Sequence, residues 1–218
     1  MLESSCETDC PAIDHIPLVL ILTALAATGG CGGHWAASSN DTSDNNEQLP
    51  QYADFNAGQI YKALISAADR RSMVLFSSSV QPSDCSLRDS DMPDAAFRNA
   101  LDNFRKTNTA AWHISPLIGG GREITKTAHD SMFNKFDAAT GKNDVAAGWK
   151  EFHRRYWFAK GILAVSAVGF DAGRTVAIVY SEMQCGGLCG TGSFKYFRRT
   201  PHGWDRVEAA IPSCEWIE

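Results

Sequence analysis

The sequence predicts an α+β domain in which four helices pack on one face of a C-terminal four-stranded antiparallel meander. Three observations carry this reading. Apolar residues recur at helical spacing through residues 52–157. The C-terminal part then changes to short runs rich in β-branched and aromatic residues. The connections between those runs are short, which requires antiparallel neighbours, and such a sheet buries its apolar face under helices.

Asp54 is placed to cap a first helix, in which Tyr61, Leu64, Ile65 and Ala68 fall at i, i+3, i+4 and i+7. Met73 to Phe76 reads as a short buried strand. A loop rich in Pro, Ser and Asp follows from Ser77 to Asp91, where Asp91 is the expected cap of a second helix. That helix has Pro93 in its first turn and Phe97, Ala100, Leu101 and Phe104 on one face. Ala110 to Ile114 reads as another short strand, ended by Pro116 and by Gly119, Gly120 and Gly121. Two further helices are expected at 128–139, with Met132, Phe133 and Phe136 inward, and at 144–157. In the latter, Val145, Trp149, Phe152 and Tyr156 form one stripe of large residues, and Trp149, Phe152 and Tyr156 are predicted core. The four meander strands are Ile162–Phe170, Thr175–Met183, Ser193–Arg199 and Asp205–Ile211, separated by turn residues.

Ahead of this domain the chain is of a different kind. Residues 16–28, from Ile16 to Thr28, are uncharged and mostly apolar, followed by Gly29, Gly30 and Cys31. The run is too short to span a bilayer and suits the apolar core of a secretion signal. It resembles a bacterial lipoprotein signal, which implies lipidation of Cys31; an uncleaved anchor is the alternative. Residues 36–50 carry almost no large apolar side chain and cannot repay the entropy of ordering. The expected organisation is therefore a signal-like segment at 1–30, a flexible tether at 31–51 and one domain at 52–218.

Charge excludes one class of function. The net charge is −5, but four of the 25 acidic residues, Glu3, Glu7, Asp9 and Asp14, lie in the first thirty residues, which hold no Lys or Arg. The remainder carries 20 basic residues against 21 acidic ones and shows no basic stripe, so nucleic acid is not an expected partner.

The seven cysteines include four beyond residue 80, which allow two disulfides in an oxidising compartment. The glycines at 186 and 187 free the chain between Cys185 and Cys189 to turn tightly enough for these two to pair. That leaves Cys85 for Cys214. A redox dithiol normally has two intervening residues at a helix N-terminus, and this pair has three between strands. A zinc set of Cys185, Cys189, His202 and Cys214 is not selected by spacing.

From Gly148 onward the chain carries Trp149-x-x-Phe152-x-x-x-Tyr156, Ser166-Ala-Val-Gly-Phe-Asp171, Ala177-Ile-Val-Tyr180 and Cys185-Gly-Gly-Leu-Cys-Gly-Thr-Gly192. It resembles a group of bacterial exported proteins that share these motifs and a glycine-rich hairpin before a final Trp, here Trp204 or Trp216. The resemblance implies a shared fold and no assigned activity, so no catalytic residue is carried over.

No assembled acid, base, nucleophile or metal set is legible. Gly119–Gly121 lack a phosphate-loop context, and Ser77, Ser78 and Ser79 lack a nucleophile elbow. His113, His129, His153 and His202 show no metal spacing. The sequence points to an envelope lipoprotein, facing the periplasm, with a non-catalytic binding or structural domain, no cofactor, and a protein or small-molecule partner. The alternative is a small exported enzyme with a catalytic set drawn from His113, His129, His153 and Ser77–Ser79.

Overall fold

A computed structural model describes residues 49–82, 86–119, 122–137, 141–208, 211–212 and 214–217 of the 218-residue chain. They belong to one unit, Asp44–Glu218. The signal-like segment, Cys31, most of the tether and Cys85 lie outside the described residues.

Helix α1 (Phe55–Leu64) starts where the Asp54 carboxylate accepts the N–H groups of Asn56 and Ala57, at 2.9 and 3.2 Å. The helix expected to reach Ala68 breaks at Ile65 because Ser66 opens a new one. Its hydroxyl and the Asp69 carboxylate cap each other's backbone to start α2 (Ala67–Ser72). Strand β1 (Met73–Phe76) follows. Helix α3 (Ala95–Thr107) is capped by Asp94, which accepts the Phe97 N–H, and not by Asp91. Asp91 ends a short 3₁₀ turn and accepts the Arg88 N–H, so Pro93 precedes the helix.

Residues 110–114 are not a strand. His113 makes isolated bridges to Gln51 and Ser78, and α4 (Ser115–Ile118) takes Pro116 into its first turn. Strand β2 (Arg122–Ile124), α5 (Lys126–Phe133), the two-residue strands β3 (Phe136–Asp137) and β4 (Lys142–Asn143), and α6 (Val145–Arg155) come next. The helix expected to reach residue 139 thus stops at Phe133, and Phe136 lies in the β3–β4 hairpin.

The C-terminal strands are β5 (Gly161–Val165), β6 (Gly169–Phe170), β7 (Val176–Gly186), β8 (Cys189–Thr200), β9 (Gly203–Arg206) and β10 (Trp216–Ile217). The predicted run 162–170 is split by Ser166. Its N–H donates to the Tyr180 carbonyl at 2.9 Å and its hydroxyl accepts the Tyr180 N–H at 2.9 Å, so one residue closes the ladder where the strand bends. Asn108 then ties the bend to the end of α3, accepting the Ala167 N–H and donating to the Ala167 and Phe104 carbonyls.

The sheet is not a four-stranded antiparallel meander. Among the described residues it holds eight strands, in the order β10-β8-β7-β5-β1-β2, with β6 also on β7 and β9 also on β8. Strand β1 is parallel to both β2 and β5, whereas β5, β7, β8 and β9 pair antiparallel in succession. Parallel neighbours need long crossovers, and the helices between β1 and β5 supply them. Met73–Leu75 is buried throughout, as expected for a strand covered on both faces.

Nor do the helices cover one face alone. Side chains alternate across β7, and Ala177 and Val179 pack with α1 and α4, through Ile60, Tyr61, Ile114 and Ile118. Val176, Ile178 and Tyr180 point the other way, against Phe97, Ala100, Leu101 and Phe104 of α3. Register carries that second face along the sheet to Ile162 and Val74, which pack under Met132, Phe133, Trp149 and Phe152 of α5 and α6. The architecture is α+β, with a mixed sheet between six helices among the described residues.

Of the predicted core stripe, Phe152 is fully buried and Trp149 is 7 % exposed, edge-on to both Phe133 and Phe152. Tyr156 is half-buried at the helix end, packed against the same cluster, and Val145 is exposed.

Candidate functional site

On the face that carries α3, α5 and α6, two separate clusters cover the sheet: α3 over β7 and β8, and α5 with α6 over β1 and β5. Between them the floor is left open. A cavity of about 100 Å³ is lined there by Ile162 and Ala164 of β5, Glu182 and Gln184 of β7, Phe76 of β1, Val80 and His129 of α5. The register sets Ile162 opposite Gln184 and Ala164 opposite Glu182, so these four side chains share one face. Ala164 is small, and that smallness leaves the space. The volume is below the roughly 150 Å³ that accommodates a benzene ring, so the cavity suits a few non-hydrogen atoms or the end of a longer molecule.

Glu182 is the one acidic group lining this mostly apolar space. Burial pushes its carboxyl above the usual carboxylate range, partly offset by hydrogen bonds from the Tyr180 hydroxyl at 3.2 Å and the Gln184 amide at 3.5 Å. Behind it, the Trp216 indole N–H donates to the Tyr180 hydroxyl at 2.6 Å. Strand β10 holds that indole over β8, and it fits because positions 190 and 192 are glycines. A Cβ at Gly192 would collide with the Trp216 ring nitrogen and the Tyr180 hydroxyl, and one at Gly190 with the same ring. On the opposite wall, the His129 ring packs at 4.7 Å on Phe133 and edge-on to Phe76, and its Nδ1 lies 3.3 Å from Asp130. The site is thus a small apolar cup with a carboxyl, an amide and an imidazole on its wall.

Of the histidines and serines considered from the sequence, His129 alone lines this cavity. His113 bonds to the Ser115 hydroxyl through Nε2 at 3.1 Å, and His153 packs against Trp149 and Phe152. Ser77, Ser78 and Ser79 are buried after β1, and the Ser79 hydroxyl accepts the Trp112 N–H. Ser166 is spent in the strand bend. His202 is exposed in the turn between β8 and β9. Cys185 and Cys189 lie at disulfide distance across the β7–β8 hairpin, with Cα atoms 5.1 Å apart. Cys214 is disulfide-bonded as well, and Cys85, its expected partner, lies outside the described residues. Among the described residues no group of three or more His, Cys, Asp or Glu is arranged to hold a metal ion.

Glu182 and Gln184 were not singled out by sequence reasoning, although a signal exists. Val176, Ile178, Tyr180 and Glu182 share one parity on β7, so the glutamate falls at a core-facing position.

A broader, open cleft of about 540 Å³ lies between α3 and the β6–β7 turn. Two of its three acidic groups already have structural roles, and the third, Asp102, is exposed beside Arg105 at 3.5 Å. Asp54 caps α1 and is forked by Arg174 at 2.8 and 3.0 Å, while the Asp171 carboxylate accepts both N–H groups of Thr175 and Val176 and the Thr175 hydroxyl. Those bonds outweigh the effect of burial and hold Asp171 below the usual carboxylate range. The smaller cavity, with a carboxyl raised by burial, is the better candidate.

No protein-family model matches the chain, no curated protein matches it, and no solved structure matches it. The functional reading therefore stands on the cavity and on the N-terminal sequence.

Proposed function

We propose that the chain is an exported protein of the bacterial cell envelope, tethered through a lipid on Cys31, whose folded part binds a small molecule without turning it over. The tether rests on sequence: the apolar run before Cys31, the polar segment after it, and the resemblance to exported bacterial proteins. Among the described residues no helix is long and apolar enough to cross a membrane. The binding role rests on one observation, the cup over Ala164 with Glu182, Gln184 and His129 facing into it. Pockets of this kind, apolar with a few convergent polar groups, are where small ligands are held.

The test is a fragment screen followed by protein-detected NMR on the full chain. Binding fragments are expected to shift the methyl resonances of Ala164, Ile162 and Val80. Ala164→Leu fills the floor and should abolish those shifts, while costing about 1–3 kcal/mol for overpacking. Fragments that bind the variant as well as the parent would contradict the assignment.

A further inference from the structure

Resting on that reading, we propose that the cavity takes a small organic cation, a primary ammonium on a short carbon chain. The ammonium sits on the Glu182 carboxylate and the Gln184 side chain, and its carbon chain lies against Phe76, Val80 and Ile162. Glu182 has two hydrogen-bond donors, the Tyr180 hydroxyl and the Gln184 amide, and both are neutral. Its ionisation is opposed by burial, and among the described residues no Lys or Arg lines the cavity to offset it. An ammonium brings a positive charge and three donors, and a charge-assisted bond in a partly desolvated cup is stronger than a neutral one. Phe76 adds an aromatic ring to the same wall, a surface that favours cations over anions. The Tyr180 hydroxyl, itself hydrogen-bonded by the Trp216 indole, fixes one carboxylate oxygen and leaves the carboxyl pointing in one direction.

The volume limits the guest. About 100 Å³ admits an ammonium with a chain of a few carbons, or the terminal part of a longer amine. An anion would be repelled by Glu182. A neutral isostere such as an alcohol can donate one hydrogen bond to the carboxylate but brings no charge to offset its ionisation.

The experiment is a set of calorimetric and NMR titrations of the full chain near neutral pH with three probes of matched size: n-propylammonium, 1-propanol and propionate. Propylammonium is expected to bind about tenfold or more tightly than propanol, and propionate not at all. Glu182→Gln should bring propylammonium down to the propanol level. In the parent chain, propylammonium affinity should fall as pH falls and Glu182 takes up its proton, a readout that stands if the variant fails to fold. The other titratable groups facing or adjoining the cup are His129 with its neighbour Asp130, and Tyr180. Propanol or propionate binding at Ala164 and Ile162 as tightly as propylammonium would overturn the cation proposal and leave the ligand cavity standing. Absence of binding by all three, with fragments also failing, would overturn both.

Discussion

A single carboxyl gives the site its character. Because burial raises the Glu182 pKa, the folded chain holds this proton to a higher pH than the unfolded chain does. Over the interval between the ordinary carboxylate value and the raised one, the folded state binds more protons, so stability falls as pH rises through it. Glu182→Gln keeps the shape and removes the charge. It should therefore raise Tm at about pH 7 and leave it nearly unchanged at about pH 3, below the ordinary and the raised value alike, where both states are mostly protonated. Thermal melts at the two pH values check this, and an equal change at both would contradict the burial argument. The alternation on β7 makes the inward position of Glu182 legible in sequence. Its environment is not, because the neighbours Phe76, Val80 and His129 come from two segments, 76–80 and α5, far from β7 in the chain. The stripe at Trp149 and Phe152 could be read directly, since three and four residues along a helix share a face whatever lies opposite.

At the scale of elements, the short motifs of the C-terminal part serve as structural fittings. In Ser166–Asp171, Ser166 closes the ladder, the Val168 carbonyl accepts the Tyr52 hydroxyl, the Phe170 N–H donates to Asn103, and Asp171 caps the turn. Gly169 lies directly under α3, where a Cβ would meet the Phe104 Cα and Cβ and the Ala100 carbonyl. At Gly192 the obstacle is instead the Trp216 ring and a tyrosine hydroxyl, and a strand of two residues can shift. Gly169→Ala should consequently cost more than Gly192→Ala, on the order of 1–3 kcal/mol or above for the former, because helix backbone cannot yield. Denaturant titration measures both. A smaller cost at Gly169 would contradict the close helix contact. Boundaries were the less legible part. Helix starts at Asp54 and Asp144 follow from their capping side chains, but Asp91 and Asp94 offer equivalent caps three residues apart, and tertiary packing of Phe97 and Phe104 selects the second.

For the whole molecule, the succession of antiparallel hairpins from β5 to β9 was readable because short turns dictate it. The parallel half was not. Strand β2 is Arg-Glu-Ile, without apolar periodicity, and its partner β1 lies across α3 and α4 in the chain. That non-local pairing extends the sheet under α5 and α6, and the cavity lies in the gap between those helices and α3. The proposed tether belongs to this scale too. Cys31→Ser should release the chain from the membrane fraction with its thermal melt unchanged, since the core begins at Tyr52. Fractionation followed by immunoblotting reads this, and retention in the membrane would favour an uncleaved apolar anchor.

The binding role is tested most directly by a crystal structure of the full chain soaked with a mixture of small amines and alcohols. Density is expected for an amine over Ala164, its nitrogen within hydrogen-bond distance of the Glu182 carboxylate and its carbons between Phe76 and Val80. A cup closed by contact of Val80 with His129, with soaked molecules bound only elsewhere, would contradict it.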